Sequence, residues 1–170
     1  TLILDKSGNV ILLTRAPDLR QAQNTSNIKD IRIWVDKDGS NPTEDLKIIL
    51  NELSLNGKTI GIEYEAYGLT GRNTIKLNKS LEGYCEIKDK SELVSNLRVI
   101  KSAEEISYVK KAAELADRAL DEVWKNAKVG VSEGKILAEM QRVIFEGGGD
   151  YPANEFIIGS GHNALLCRYQ

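Results

Sequence analysis

Few residues in this 170-residue sequence have side chains that commonly act as nucleophiles, bases or metal ligands. There is one histidine, His162, and the two cysteines, Cys85 and Cys167, lie far apart and form no Cys-x-x-Cys pair. This composition excludes a zinc site of the usual cysteine and histidine spacing. It also excludes a Ser-His-Asp arrangement unless His162 is the base. Two separate cysteines predict small buried side chains in a reducing, cytoplasmic setting.

Two glycine-containing segments are candidates for a loop that binds or attacks a ligand. Residues 147–149 are three successive glycines, whose backbone N–H groups could face an anion. No helix follows them and no Lys-Ser/Thr pair is present, so a helix stop and a turn is the better interpretation. Ser160 lies directly between two glycines, whereas a nucleophile elbow places its glycines two residues away on each side. We therefore do not expect Ser160 to be a nucleophile.

Arg168 is a charged residue in a mostly apolar segment. It follows apolar residues in the segment 165–169, which is predicted to be a strand. A guanidinium in such a place needs an anionic partner or an opening to solvent. Two roles stay open for it, a structural ion pair or the cation of a substrate site. His162, in the preceding Ser-Gly-His-Asn turn, is interpreted as a turn residue, with a role as base as the alternative.

Composition and charge exclude several partners. Lys and Arg number 23 and Asp and Glu number 25, which gives a net charge of −2 and no basic field for nucleic acid. No apolar run approaches the roughly 20 residues of a membrane span, and no signal-peptide pattern opens the sequence. The expected protein is cytoplasmic, with no nucleic-acid partner and no membrane.

The elements that would position these residues alternate between strands and helices over the first hundred residues. Such alternation predicts an α/β layer, with a mixed sheet and flanking helices. Residues 1–5 and 10–14, joined by Lys-Ser-Gly-Asn, predict a hairpin at the sheet edge. Further strands are predicted at 31–36, 59–65 and 84–88. Helices are predicted from Pro42 to a stop at Asn56-Gly57, over 69–81, and from 90 with Ser91 at or near the cap.

After Arg98 the alternation stops and one long helix is predicted, from a cap at Ser102 to about residue 127. Glu105 completes a capping-box pattern with Ser102. Apolar residues recur along it in steps of three and four, so we expect this stripe to be buried. The stripe comprises Ile106, Val109, Ala113, Ala116, Leu120 and Val123. A second helix is predicted from Ser132, followed by strands at 156–159 and 165–169.

Four segments, read in order, resemble the creatinase/prolidase family of pita-bread metalloenzymes. They are Leu97-Arg98-x-x-Lys101-Ser102-x-x-Glu105-Ile106, Gly61-Ile62-Glu63, Ala112-Ala113 with Ala116 and Ala119-Leu120, and Gly130-Val131-Ser132-Glu133. The resemblance covers almost the whole chain. It implies a creatinase-type N-terminal α/β domain over 1–97, lacking its first strands, and the start of a pita-bread α+β catalytic domain over 98–170.

The same resemblance assigns roles near residue 160. Peptidase members run Ser-Gly-Pro-Asn and then Pro-His-Tyr, so His162 stands at the proline position and Arg168 stands where peptidases carry an active-site histidine. An arginine cannot shuttle a proton there, but it could hold a carboxylate. The resemblance therefore implies that His162, Arg168 and Tyr169 bind substrate.

The family binds a pair of divalent metal ions, and the resemblance implies that this chain ends before their ligands. No catalytic or metal-binding residue is then expected within it, and the chain alone is expected to be inactive. The implied parent is a hydrolase of dipeptides or small carboxylate-bearing molecules and a homodimer. One alternative is a lyase, because the block 146–169 resembles dimethylsulfoniopropionate lyases and, less closely, ectoine hydrolases. The other is a non-catalytic interaction module of the same fold.

Overall fold

The computed structural model describes residues 1–166 of the chain. The chain divides into two compact units, of which the first comprises Thr1–Arg98 and the second begins at Val99. The first unit alternates strands and helices, and the described part of the second contains helices and turns. The predicted α/β class is confirmed. None of the helices in residues 1–166 combines the length and the apolar composition that crossing a membrane requires.

A three-stranded mixed sheet opens the first unit. Its strands β1 (Leu2–Leu4), β2 (Val10–Arg15) and β3 (Asp30–Trp34) lie in that order, with β1 antiparallel and β3 parallel to β2. The predicted hairpin is therefore confirmed. The Asp5 carboxylate closes its turn by accepting the backbone N–H groups of Ser7 and Asn9, at 2.8 and 2.9 Å.

The remaining strands, β4 (Thr59–Ile62) and β5 (Glu86–Asp89), form a separate parallel pair. The single mixed sheet that we predicted is thus two sheets. A short 3-10 turn (Ala16–Asp18) and four helices accompany them: α1 (Leu19–Thr25), α2 (Pro42–Glu52), α3 (Gly71–Leu81) and α4 (Leu93–Val99).

Two predicted helix boundaries in this unit are wrong. Helix α2 ends at Glu52, before the expected stop, because Ser54 adopts a left-handed conformation with φ of +55°. Asn56-Gly57 instead forms the turn that precedes β4. Helix α4 begins at Leu93, three residues after the predicted start at 90, and Ser91 lies near its start. The Ser91 hydroxyl donates to the Asp89 carboxylate at 2.5 Å and accepts the backbone N–H of Tyr64 at 3.0 Å.

The core of the first unit consists of two apolar clusters to which α2 contributes adjacent residues. One cluster contains Leu50, Leu77, Leu81 and Tyr84, and the other contains Ile11, Leu13 and Ile49. Burying a large apolar side chain contributes about 1.5–3 kcal/mol. These clusters therefore hold α2 and α3 against the strands.

Two helices, α5 (Ala103–Asn126) and α6 (Glu133–Glu146), dominate the second unit. The predicted capping box of α5 is confirmed: the Glu105 N–H donates to the Ser102 hydroxyl at 3.2 Å, and the Ser102 N–H donates to the Glu105 carboxylate at 2.7 Å. Helix α6 ends at the three glycines, where Gly148 has a φ of +81°. The interpretation of these glycines as a helix stop and a turn is also confirmed.

The predicted buried stripe of α5 is largely exposed in the described part of the chain. Ile106, Val109 and Leu120 are 42%, 55% and 51% exposed, whereas Ala119 is only 2% exposed. Helix α5 packs against α6, and Ala119 is the residue of α5 that is buried. The periodicity was correct, and the choice of the covered face was wrong.

The strands predicted after α6 are also wrong as far as the structure describes them. Residues 156–160 are irregular, and Gly161–Leu165 forms a 3-10 turn. Gly161 has a φ of +55°, and the Asn163 N–H donates to the Ser160 carbonyl at 3.1 Å. This local turn replaces the extended conformation that the apolar residues favour. The rest of the second predicted strand, from Cys167 onward, lies outside the described residues.

Candidate functional site

The candidate site is the segment 159–166, which we name the site turn. Its two glycines are required by geometry. A Cβ added to Gly159 would lie 2.8 Å from the backbone oxygen of Asn163, and Gly161 has a positive φ of 55°. The close approach leaves no room for a side chain at 159, and the positive φ at 161 favours glycine. The site turn is therefore a defined structure and not a loose connection.

A carboxylate of helix α6 anchors the site turn. The backbone N–H and the hydroxyl of Ser160 both donate to one carboxylate oxygen of Glu133, at 2.7 and 2.5 Å. Glu133 is the first residue of α6, where the N-terminal end of the helix dipole favours a negative charge. Glu133 lies in the Gly130-Val131-Ser132-Glu133 motif, which gave no sign of a contact with Ser160. Nothing in the spacing of these residues could have revealed the contact.

His162 lies in the 3-10 part of the site turn, and its side chain is exposed. Within residues 1–166 its side chain makes no hydrogen bond or ion pair with another described residue. Arg168 and Tyr169 lie outside the described residues. The proposed grouping of these three residues at a substrate site stays a prediction.

A charged cavity of about 240 Å³ lies between α5 and α6. It is lined by Arg118, Asp121, Glu122, Lys125, Arg142 and Val143. Lys125 lies 2.7 Å from Glu122 and lowers the pKa of that carboxyl, while Arg142 contacts Glu139 at 2.8 Å and Glu146 at 2.6 Å. Because these charges largely neutralise one another, the cavity is a solvated ion-pair network and not an anion site.

The described residues do not provide a metal centre. Within residues 1–166 no group of three or more His, Cys, Asp and Glu side chains is placed to hold a metal ion. A two-metal centre needs such a set, so it does not fit this part of the chain, and no catalytic step through a metal follows from it.

Burial raises the pKa of the Cys85 thiol, which disfavours the reactive thiolate.

Comparison with known proteins identifies a class of two-domain proteins. Residues 1–100 match the family described as the creatinase/prolidase N-terminal domain, and residues 107–170 match metallopeptidase family M24. The chain belongs to the creatinase/prolidase family. The resemblance drawn from the sequence motifs is therefore confirmed at the level of the family, whereas the finer likeness to dimethylsulfoniopropionate lyases stays a prediction.

Individual relatives agree with this family. An Xaa-Pro dipeptidase of Pyrococcus furiosus is 30% identical over 115 residues, which cover 68% of this chain and 32% of that protein. An ectoine hydrolase of Halomonas elongata is 27% identical over 114 residues, covering 62% of this chain and 28% of that protein. The chain thus spans about a third of the length of such relatives.

The fold is shared with solved structures of the family. A prolidase from Pyrococcus furiosus superimposes with a TM-score of 0.68 at 24% identity, over 98% of this chain and 44% of that protein. This likeness confirms the predicted creatinase-type α/β fold and its connection with pita-bread proteins.

Proposed function

We propose that this chain supplies the N-terminal domain and the first part of the catalytic domain of a metal-dependent hydrolase. The substrates are small carboxylate-bearing molecules, Xaa-Pro dipeptides among them. The observation that carries the proposal is the succession of the two family matches, 1–100 and 107–170, along one chain. The domains correspond to residues 1–97 and 98–170, and the complete protein is a cytoplasmic homodimer with a pair of divalent metal ions.

Arg168 and Tyr169 are proposed to line the substrate site together with His162. The support for Arg168 is chemical, since a guanidinium binds a carboxylate through two parallel hydrogen bonds and keeps its charge at every physiological pH. The exposed position of His162 on the site turn leaves its imidazole accessible to such a substrate. In this proposal Arg168 holds the substrate carboxylate and does not transfer a proton.

A small cyclic or charged solute is the second candidate substrate class. It is favoured by the similarity to an ectoine hydrolase and by Arg168 at the position where peptidases of the family carry a histidine. Both candidates share the carboxylate that Arg168 would bind, so they differ only in the bond that is cleaved.

The test is a substrate panel with the complete protein encoded by the gene: Xaa-Pro dipeptides, ectoine and dimethylsulfoniopropionate. Cleavage of a dipeptide or of ectoine, with a KM that rises in Arg168→Ala and recovers partly in Arg168→Lys, supports the proposal. Release of dimethyl sulfide alone would replace it with a lyase. Absence of turnover on every substrate, in protein that is folded and supplied with metal, would favour the non-catalytic interaction module.

A further inference from the structure

The backbone N–H and the hydroxyl of Ser160 both donate to one residue that is distant in sequence. Ser160 precedes the 3-10 turn Gly161–Leu165 as the N-cap residue, yet its side chain accepts no hydrogen bond from that turn. A serine at this position commonly caps its own helix. Here the hydroxyl and the backbone N–H both donate to Glu133, 27 residues earlier. The contact therefore fixes where the turn lies and does not serve the internal structure of the turn.

The partner is held on a rigid element. Glu133 is the first residue of α6, whose N-terminus is capped by the Ser132 hydroxyl accepting the Lys135 N–H at 3.3 Å. Glu133 is half-buried and accepts with a single oxygen, so both hydrogen bonds depend on one atom. Hydrogen bonds to an ionised acceptor are stronger than those between neutral groups. The anchor therefore consists of two hydrogen bonds to one carboxylate oxygen on a capped helix.

The turn has little freedom once Ser160 is fixed. Gly159 packs against the backbone of Asn163, and Gly161 is held in the left-handed region. Residue 162 lies between these constraints, so the position of the His162 backbone follows from the anchor.

We propose that Glu133 is a positioning residue for substrate binding, and that its carboxylate holds the site turn where His162 meets the substrate. This rests on the proposed function, because it requires the turn to border the substrate site. Glu133 itself makes no contact with substrate in this account. Its loss raises KM for carboxylate-bearing substrates, while kcat changes little.

The first measurement uses amide hydrogen exchange on the 170-residue chain and needs no activity. Glu133→Ala is expected to speed exchange at Ser160, whose N–H loses its acceptor, by about tenfold or more. Glu133→Gln retains a carbonyl oxygen that can accept both donors, so it is expected to restore most of the protection. Glu139→Ala removes a carboxylate from the same helix away from the turn and is the matched control. Unchanged exchange in Glu133→Ala would overturn the anchor.

The second measurement compares KM and kcat in the complete protein. Glu133→Ala is expected to raise KM about tenfold with kcat within about threefold, and Glu133→Gln is expected to recover most of that loss. The thermal unfolding midpoint of each variant shows whether the effect is merely structural. An active wild-type protein with an unchanged KM in Glu133→Ala would overturn the positioning role alone. An inactive wild-type protein would refute the proposed function as well.

Discussion

Leu81→Ala tests whether the first unit is held together by the cluster that we describe. Leu81 is 1% exposed and packs in the cluster with Leu50, Leu77 and Tyr84. The substitution removes three carbon atoms at about 0.8 kcal/mol each, and a residual cavity adds to that loss. We expect the free energy of unfolding to fall by about 3–4 kcal/mol, within the range of about 2–5 kcal/mol known for buried leucines.

The matched control is Ile75→Ala on the same helix, α3. Ile75 is 70% exposed, so its loss leaves no cavity, and we expect a change within about 0.5 kcal/mol. Urea unfolding followed by tryptophan fluorescence suits this comparison in a Trp124→Phe background, where Trp34 reports on the first unit alone. A loss below about 1 kcal/mol for Leu81→Ala, or equal losses for both variants, would refute this account of the core.

Three further predictions concern the capping box, an aspartate and a cysteine. Ser102→Ala removes the acceptor of the Glu105 N–H and is expected to destabilise α5 by about 1 kcal/mol. Circular dichroism during unfolding measures this loss, and an unchanged stability would contradict the role of the cap. The Ser91 hydroxyl and N–H donate to the Asp89 carboxylate and lower its pKa. The ionised carboxylate therefore stabilises the fold above the pKa of Asp89 in the unfolded chain. This stabilisation is lost as the pH falls through the pKa of Asp89 in the folded chain. An NMR titration of Ser91→Ala should show the pKa of Asp89 rising towards its ordinary value, and no rise would disprove this cause. Burial raises the pKa of Cys85, so mass spectrometry should find slower alkylation at about pH 8 than in the urea-unfolded chain, and equal rates would contradict it.

Features encoded by neighbouring residues were predictable from the sequence. The hairpin of β1 and β2 follows from a turn between two apolar runs, and the α5 capping box needs only Ser102 and Glu105. Such signals depend on hydrogen bonds within a few residues, so tertiary packing does not alter them.

Features that depend on distant packing were not predictable. The periodicity of α5 shows that the helix is amphipathic, but it does not decide whether Ala119 or Leu120 is buried. Phe156, Ile157 and Ile158 favour a strand, but the glycines at 159 and 161 impose a turn instead. The same limit applies to the candidate site, because Glu133 and Ser160 are brought together only by the fold. Roles for Arg168 and Tyr169 are still predictions from the resemblance.

The most direct test of the proposed function is hydrolysis of Xaa-Pro dipeptides by the complete protein before and after metal removal. Elemental analysis of the purified protein is made in parallel, so that bound metal and activity are measured on the same sample. The account predicts a bound divalent metal, loss of hydrolysis with a chelator, and recovery when the metal is restored. Folded protein that binds no divalent metal, or hydrolysis that persists fully without it, would contradict the central claim.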